Sequence, residues 1–346
     1  MASISTSTTS TISNKGGTTK TSTTTLDTLH SDLLQSHILT RLDGLTLTYV
    51  SCLSSQLHEL CKEESLWRDI CFSTWPSTNN PRVRQLISTF PNGPRSFFSD
   101  SFPLLVLDLH PTATHPPSSL ELMISAVDIH YKDKLIFSKV QETETQSRWF
   151  CSSPFRVDLL DIKDVVPTPI RATREDTCQD IADGLTLSWI VIDPMGRRAA
   201  NLSSSRVVSV HQHWLSGDIQ ARFATILAGD RGSMESVQCA MVVTCGACEG
   251  VEKMQVREIY LQVEDMEGMN LNGKKTLEIL QRVMKEEGGK RRKRRRDDGK
   301  QRYEEYLKLK TERKERRLRR ERRLDTMCII FVLSIVAAFW VFLLCP

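Results

Sequence analysis

Residues 29–75 read LHSDLLQSHILTRLDGLTLTYVSCLSSQLHELCKEESLWRDICFSTW, with three short apolar-periodic runs inside them. In the first run Leu34, Ile38 and Leu42 are four apart and line one helical face. Ser31 or Asp32 is placed to accept from the first free N–H groups of that helix. Asp43-Gly44 is placed to end it, because glycine readily takes the left-handed conformation of a helix C-terminus. Thr46 is expected to cap the second run, where Val50, Leu53, Leu57 and Leu60 step by three, four and three. Glu63, Glu64 and Ser65 open the third, which carries Leu66, Trp67, Ile70 and Cys71, with acids where the helix dipole favours them. The expectation is a compact three-helix unit too small to rest on its own core.

The detailed pattern resembles the F-box, the module through which substrate receptors join Skp–cullin–F-box ubiquitin ligases. Leu29 and Ile38-Leu39-Thr40-Arg41-Leu42 match the opening leucine and the Ile-Leu-x-Arg-Leu segment of that family. Ser51-Cys52-Leu53, Leu60 and Leu66-Trp67-Arg68 match its later positions without a gap. Two positions depart: His30 stands where the family has proline, and Leu57 where it has tryptophan. The resemblance implies an adaptor-binding surface drawn from Leu29, Leu33, Leu34, Ile38, Leu42, Val50, Leu53, Leu66 and Trp67. It implies a Skp adaptor as partner, a cullin reached through it, and a protein substrate of unknown identity. Ligase chemistry belongs to other subunits, so no enzyme activity, cofactor or metal is expected of this chain. Residues 75–105, WPSTNNPRVRQLISTFPNGPRSFFSDSFPLL, are also similar to a plant subgroup that includes the cytokinin-induced F-box protein. That subgroup couples an N-terminal F-box to a C-terminal transmembrane segment.

Around this stretch, 346 residues that are 40% hydrophobic and 25% charged suffice for one sizeable core plus appendages. Ten cysteines lack any short repeating spacing, and no signal-peptide pattern precedes them, so a reduced cytosolic or nuclear setting is expected. Residues 1–25 are Ser/Thr-rich, with no acid before Asp27, and read as a disordered tail. A transit peptide is the sharper alternative, disfavoured by the lack of arginine. The resemblance places the F-box at residues 26–75. Residues 76–103 form a helical extension and linker, with Pro81 opening a helix whose stripe is Val83, Leu86, Ile87 and Phe90.

Residues 104–288 read as a β-rich substrate-binding domain with a terminal helix. An apolar run over 104–109 and a Pro- and His-bearing loop over 110–119 are followed by period-two segments. Ile219, Ala221, Phe223, Thr225 and Leu227 share one face. So do Val237, Cys239, Met241, Val243 and Cys245, and so do Ile259, Leu261 and Val263, with Val256 out of step. Residues 185–192 make another strand, closed by the turn Asp193-Pro-Met-Gly196. No long helical pattern interrupts these strands, which favours an antiparallel sandwich. Over 271–287, Leu277, Leu280, Val283 and Met284 mark a helix. The fold class is therefore α+β: a three-helix F-box, an antiparallel sandwich-like middle domain, a basic helix and one transmembrane helix.

Residues 289–326 form a basic juxtamembrane arm that opens with Lys290, Arg291, Arg292, Lys293, Arg294, Arg295 and Arg296. Residues 290–323 hold nineteen Lys/Arg against seven Asp/Glu, or +12, in a chain whose net charge is +4. The basicity is local to this arm. It reads as a nuclear-import signal or an anionic-lipid contact. A nucleic-acid arm is weakened by the lack of interleaved aromatics, so no specific nucleic-acid partner is expected. Residues 327–345, MCIIFVLSIVAAFWVFLLC, are uncharged and span about 28 Å as a helix, enough for a bilayer core. Their position at the C-terminus leads to the expectation of post-translational insertion, with everything before Met327 cytosolic or nucleoplasmic. The endoplasmic reticulum or nuclear envelope is the expected membrane, with the nucleus as alternative. Cys245-Gly-Ala-Cys248 has metal-pair spacing but no second pair, so structural cysteines are favoured. His211 and His213 have no third ligand nearby, and Asn201-Leu-Ser203 is an acceptor triplet irrelevant on a cytosolic side. The rivals to a ligase subunit are a membrane-tethered scaffold whose F-box recruits nothing and a lectin-like binder.

Overall fold

The computed structural model describes residues 30–102, 120–161, 163–171, 177–229, 236–248, 251–285 and 298–344. Leu29, the run over 104–109 and the loop over 110–119 lie outside them, as does the basic cluster over 290–296. The chain divides into two compact units, residues 1–63 and 64–346, so the boundary falls within the F-box-like stretch.

In the first unit the opening run is not one regular α-helix. It comprises α1 (Ser31–Leu33), a π-helical turn (Leu34–Ile38) and a 3-10 turn (Leu39–Arg41). The expected stripe is displaced in consequence. Leu34 and Leu39 are buried, five residues apart as a π turn dictates, while Ile38 is exposed and Leu42 half-buried. The caps differ from expectation too. His30 Nδ1 accepts from the Asp32 N–H at 3.4 Å, in place of Ser31 or Asp32. Asp43 starts a helix instead of ending one, its Oδ1 accepting from the Thr46 N–H at 2.7 Å at the head of α2 (Gly44–Val50). Hydrogen bonding from Thr46 holds the Asp43 carboxyl below its usual range. The run read as one helix from Val50 to Leu60 is split by a turn, after which Ser54 caps α3 (Ser55–Leu60). Leu47, Leu57 and Cys61 are buried.

The second unit opens with α4 (Glu64–Thr74), which buries Leu66, Trp67, Ile70 and Cys71 on one face. Next come α5 (Pro81–Ser88), with Pro81 in its first turn, and α6 (Gly93–Ser101). The expected stripe of Val83, Leu86, Ile87 and Phe90 is buried. An aromatic cluster joins these helices: Trp67 to Phe98 at 5.4 Å, Trp75 to Phe97 edge-on at 6.0 Å, and Phe90 to Phe97 at 5.6 Å.

Two antiparallel sheets follow. The first contains β1 (Leu122–Tyr131), β2 (Lys134–Glu144), β5 (Leu185–Asp193), β6 (Arg198–Asn201) and β7 (Ser205–Arg206). Its order is β2-β1-β5-β6, with β7 also on β5. The second contains β3 (Arg156–Asp158), β4 (Val166–Arg171), β8 (Ser209–Gln212), β9 (Ile219–Ala228), β10 (Ser236–Cys248) and β11 (Val251–Glu264). Its order is β3-β11-β10-β9-β8, with β4 also on β11. Both contribute to one core, which includes Val127, Trp189, Phe223, Met241 and Leu261, with Ile181 of α8 (Thr177–Gly184) and Phe150 of α7 (Arg148–Ser152). The helix α9 (Gly273–Lys285) buries Leu277, Leu280, Val283 and Met284 in it, the face read from the sequence.

The helices α4–α6 are tied to the sandwich through Asp128, which is fully buried on β1. Its carboxylate accepts from the Ser77 N–H at 2.8 Å, from the Ser77 hydroxyl, and from the Ser138 hydroxyl at 2.7 Å. Asp100 of α6 also pairs with Arg198 of β6 at 3.3 Å.

The last helix, α10 (Asp298–Leu344), runs 47 residues, about 70 Å. Near its start Tyr303 packs with Val208 and Ala224, and the Tyr306 hydroxyl donates to the Asp265 carbonyl at 3.0 Å. Lys310 then pairs with Glu264 at 3.6 Å and Arg317 with Glu267 at 3.3 Å. Beyond these contacts the helix stands clear of the sandwich, and from Met327 its apolar side chains are exposed, among them Phe331, Leu333, Phe339 and Trp340.

Candidate binding surfaces

The first unit presents an apolar surface. Leu33, Ile38 and Leu53, three of the residues read as adaptor-binding, are exposed. So are Leu45 and Tyr49, which the sequence reading passed over. Their spacing of four places them side by side on α2, and with Leu53 it extends into the following turn. The signal was present, but the competing Val50–Leu53–Leu57–Leu60 step obscured it. Val50 and Leu42 are half-buried, and Leu34 is buried. Leu66 and Trp67 are buried within α4 of the second unit, where Arg95 lies over the Trp67 ring at 5.8 Å. The nine residues thus divide by accessibility, with Leu29 outside the described residues.

In the sandwich, Cys239 and Cys245 are interior side chains whose thiols burial pushes up to about 12, far from the reactive thiolate range. Cys248 is half-buried at the end of β10. His211 is an exposed strand residue paired in register with Gln220. His213 sits in the following turn, its Nδ1 accepting from the Ser216 N–H at 3.2 Å. Among the described residues no group of His, Cys, Asp and Glu has the arrangement of a metal site.

A cleft of about 560 Å³ lies beside the β1–β2 turn, lined by Tyr131, Lys132, Arg171, Asp180 and their neighbours. Lys132, Asp180 and Tyr131 are engaged with one another. Lys132 Nζ is 2.7 Å from Asp180 Oδ1, and the Tyr131 hydroxyl donates to the other oxygen of the same carboxylate.

By length and composition the C-terminal half of α10 can cross a membrane, and its apolar window is unburied. Three i,i+4 ion pairs line the segment before it: Glu312–Arg316, Glu315–Arg319 and Arg317–Glu321.

The described residues thus offer an exposed group of apolar helical side chains, a buttressed antiparallel sandwich and a long helix whose C-terminal part is apolar. Three curated Arabidopsis thaliana proteins are similar along almost the whole chain. F-box protein At2g27310 is 44% identical over 335 residues, covering 92% of this chain and 96% of its own length. Probable F-box protein At2g36090 is 46% identical over 324 residues, covering 91% and 94%. F-box protein At3g44326 is 42% identical over 334 residues, covering 92% and 91%. No family model and no solved structure matches. The chain belongs to the plant F-box proteins, a family whose members serve as non-catalytic substrate-recognition subunits of Skp–cullin–F-box ligases.

Proposed function

We propose that this chain is a membrane-anchored substrate-recognition subunit of a Skp–cullin–F-box ubiquitin ligase, of the plant subgroup that includes the cytokinin-induced F-box protein. The observation that carries the reading is similarity to F-box proteins over nine-tenths of the chain, with residues 29–75 matching the motif itself. Leu29, Leu33, Ile38 and Leu53 supply the adaptor contacts, joined by Leu45 and Tyr49. Leu34, buried in the first unit, and Leu66 and Trp67, buried in the second, each hold the helices of their own unit in place. The sandwich takes the target, and the cullin is reached through the adaptor.

Residues 327–344 make a helix about 27 Å long, which fits a hydrocarbon core. The Lys/Arg excess before it keeps the preceding domains on the cytoplasmic side, of the endoplasmic reticulum or nuclear envelope in this reading. Tethering then raises the effective concentration of ligase at one membrane surface.

The test is co-purification of the full-length chain with a Skp adaptor from membranes. Leu53→Asp and Ile38→Asp are expected to weaken recovery by at least about tenfold, as a charge at an apolar contact does. Their melting temperatures should stay unchanged, since both side chains are exposed. A wild-type chain that binds no adaptor would transfer the protein to the tethered-scaffold reading, which the His30 and Leu57 departures favour.

A further inference from the structure

The strands of the second sheet have two unlike ends. At one, Gln238 faces Glu264 and Ser236 faces Ala228. This is the end past which α10 leaves, through Tyr306 on Asp265 and Arg317 on Glu267. At the other, Cys245 pairs with Ile219 and Cys248 with Val251, so the β8–β9 turn and the paired ends of β10 and β11 lie there. Trp149 of α7 and Met269, both exposed, sit at the exit end, since Phe155 donates to Leu271 and Gly273 to Ser153 beside them.

The β8–β9 turn carries two large apolar side chains in full view of solvent, Trp214 at 87% exposure and Leu215 at 74%. This tip is held in shape. The His213 N–H donates to the Asp218 carbonyl at 2.8 Å and the Gly217 N–H to the His213 carbonyl at 2.9 Å. Gly217 takes φ +71°, a conformation glycine adopts without strain. The His213 ring stacks on Trp214 with centroids 6.5 Å apart. Asp218 is anchored by Arg257 at 3.0 Å, and that guanidinium also reaches the Ala247 carbonyl at 2.9 Å. Gly246 makes room for the pair, since a Cβ there would lie 2.4 Å from both Arg257 Nε and Asp218 Oδ1. An ordered loop that exposes a tryptophan gives a binding anchor at small entropic cost.

We propose that the β8–β9 tip is the target-docking point of this protein, with Trp214 and Leu215 as anchors for an apolar pocket on a cytosolic protein domain. The proposal rests on the reading that the sandwich recruits a target. Two observations select this occupant. The tip points away from the end where α10 departs for the membrane, so a lipid surface does not meet it. At the tip's base the Asp218 carboxylate is paired with Arg257, so among the described residues it is the apolar pair, and not this carboxylate, that the tip offers a partner.

The experiment uses the full-length chain in plant membranes with a photoreactive benzophenone amino acid in place of Leu215. Partner peptides joined at this position are identified by mass spectrometry, and each partner is then purified for binding measurements. The expected result is cross-linking to an apolar site on a protein that binds the wild-type chain at least about tenfold more tightly than the W214S/L215S variant. Both changes are at exposed positions, so the variant should keep its melting temperature and its recovery of Skp adaptor. Four outcomes overturn the proposal: no cross-link, a cross-link to a second copy of the chain, binding of the full-length W214S/L215S variant equal to wild type, or wild-type binding to phosphatidylcholine–phosphatidylserine vesicles that is lost with W214S/L215S. Absence of adaptor from the wild-type complex would instead overturn the ligase reading and leave the docking point standing.

Discussion

Asp128 shows how one side chain joins two parts of the second unit. Burial raises its carboxyl above the ordinary 3.8, while the hydrogen bonds from Ser77 and Ser138 pull in the opposite direction, and burial wins. The folded state therefore holds this proton more tightly than the unfolded chain does. The contribution of the group to stability is full below pH 3.8 and is lost as pH rises through the folded pKa. Asp128→Asn keeps an acceptor for the Ser77 N–H and removes the titration, so the corresponding slope in urea midpoint against pH should vanish. Asp128→Ala leaves the buried Ser77 donors unsatisfied and should cost roughly 2–3 kcal/mol. Equal stability of the two variants would show that Asp128 is not the tie described. Nothing near Asp128 in sequence announced this role, because its partner lies 51 residues away. Val256 is a similar case. It looked out of step with Ile259, but Thr244 pairs with Glu258 and Cys245 with Val256, so Arg257 is an inserted residue that returns Val256 to the core.

At the scale of elements, what was legible was whatever repeats with a regular period. The β9 and β10 faces and the α9 stripe are buried as their spacing indicated. The β1–β2 hairpin escaped notice: its β1 strand is buried on both faces, so it lacks alternation, and its Lys132-Asp133 turn has positive φ at both residues without a glycine. The first run of the F-box-like stretch failed for another reason. A five-residue turn cannot be told from a four-residue one when Ile38 and Leu39 are both apolar. That ambiguity has a measurable consequence. Leu39→Ala removes a buried side chain and should destabilise by about 2–4 kcal/mol, whereas Ile38→Ala, at an exposed site, should cost less than about 1 kcal/mol. Thermal or denaturant unfolding of the two variants decides it, and the reverse order would restore the regular helix. Adaptor recovery should show the opposite ranking, with Ile38→Ala the more harmful.

Over the whole molecule, the feature that composition announced as two segments is one helix. The sequence reading separated a basic arm from an apolar span, and the charge contrast between them is real, but α10 crosses that boundary without a break. No proline or glycine lies between Lys300 and Leu344 to hinge it. Its start is fastened by Tyr303, Tyr306 and Lys310, and its middle is lined by ion pairs. With residues 327–344 in a bilayer, Arg317 stands about 15 Å before the hydrocarbon edge and Tyr303 about 36 Å. The β8–β9 tip lies several strand residues beyond the level of Tyr303, on the order of 50 Å out if the strands run along the helix. With the membrane anchor and target binding proposed above, a rigid strut of this kind would fix the height at which a target is met, whereas a flexible linker would sweep a volume. Spin labels at positions 216 and 324 of the full-length chain in membranes should therefore report a narrow distance distribution. Four glycines inserted after Arg320 lie between the labels and should broaden it, because they interrupt the helix between its docked and membrane ends. Resistance to alkaline extraction should survive the insertion, since residues 327–344 are untouched. A distribution already broad in the wild-type chain would show that α10 bends between Arg317 and Leu324, and the fixed height would have to be given up.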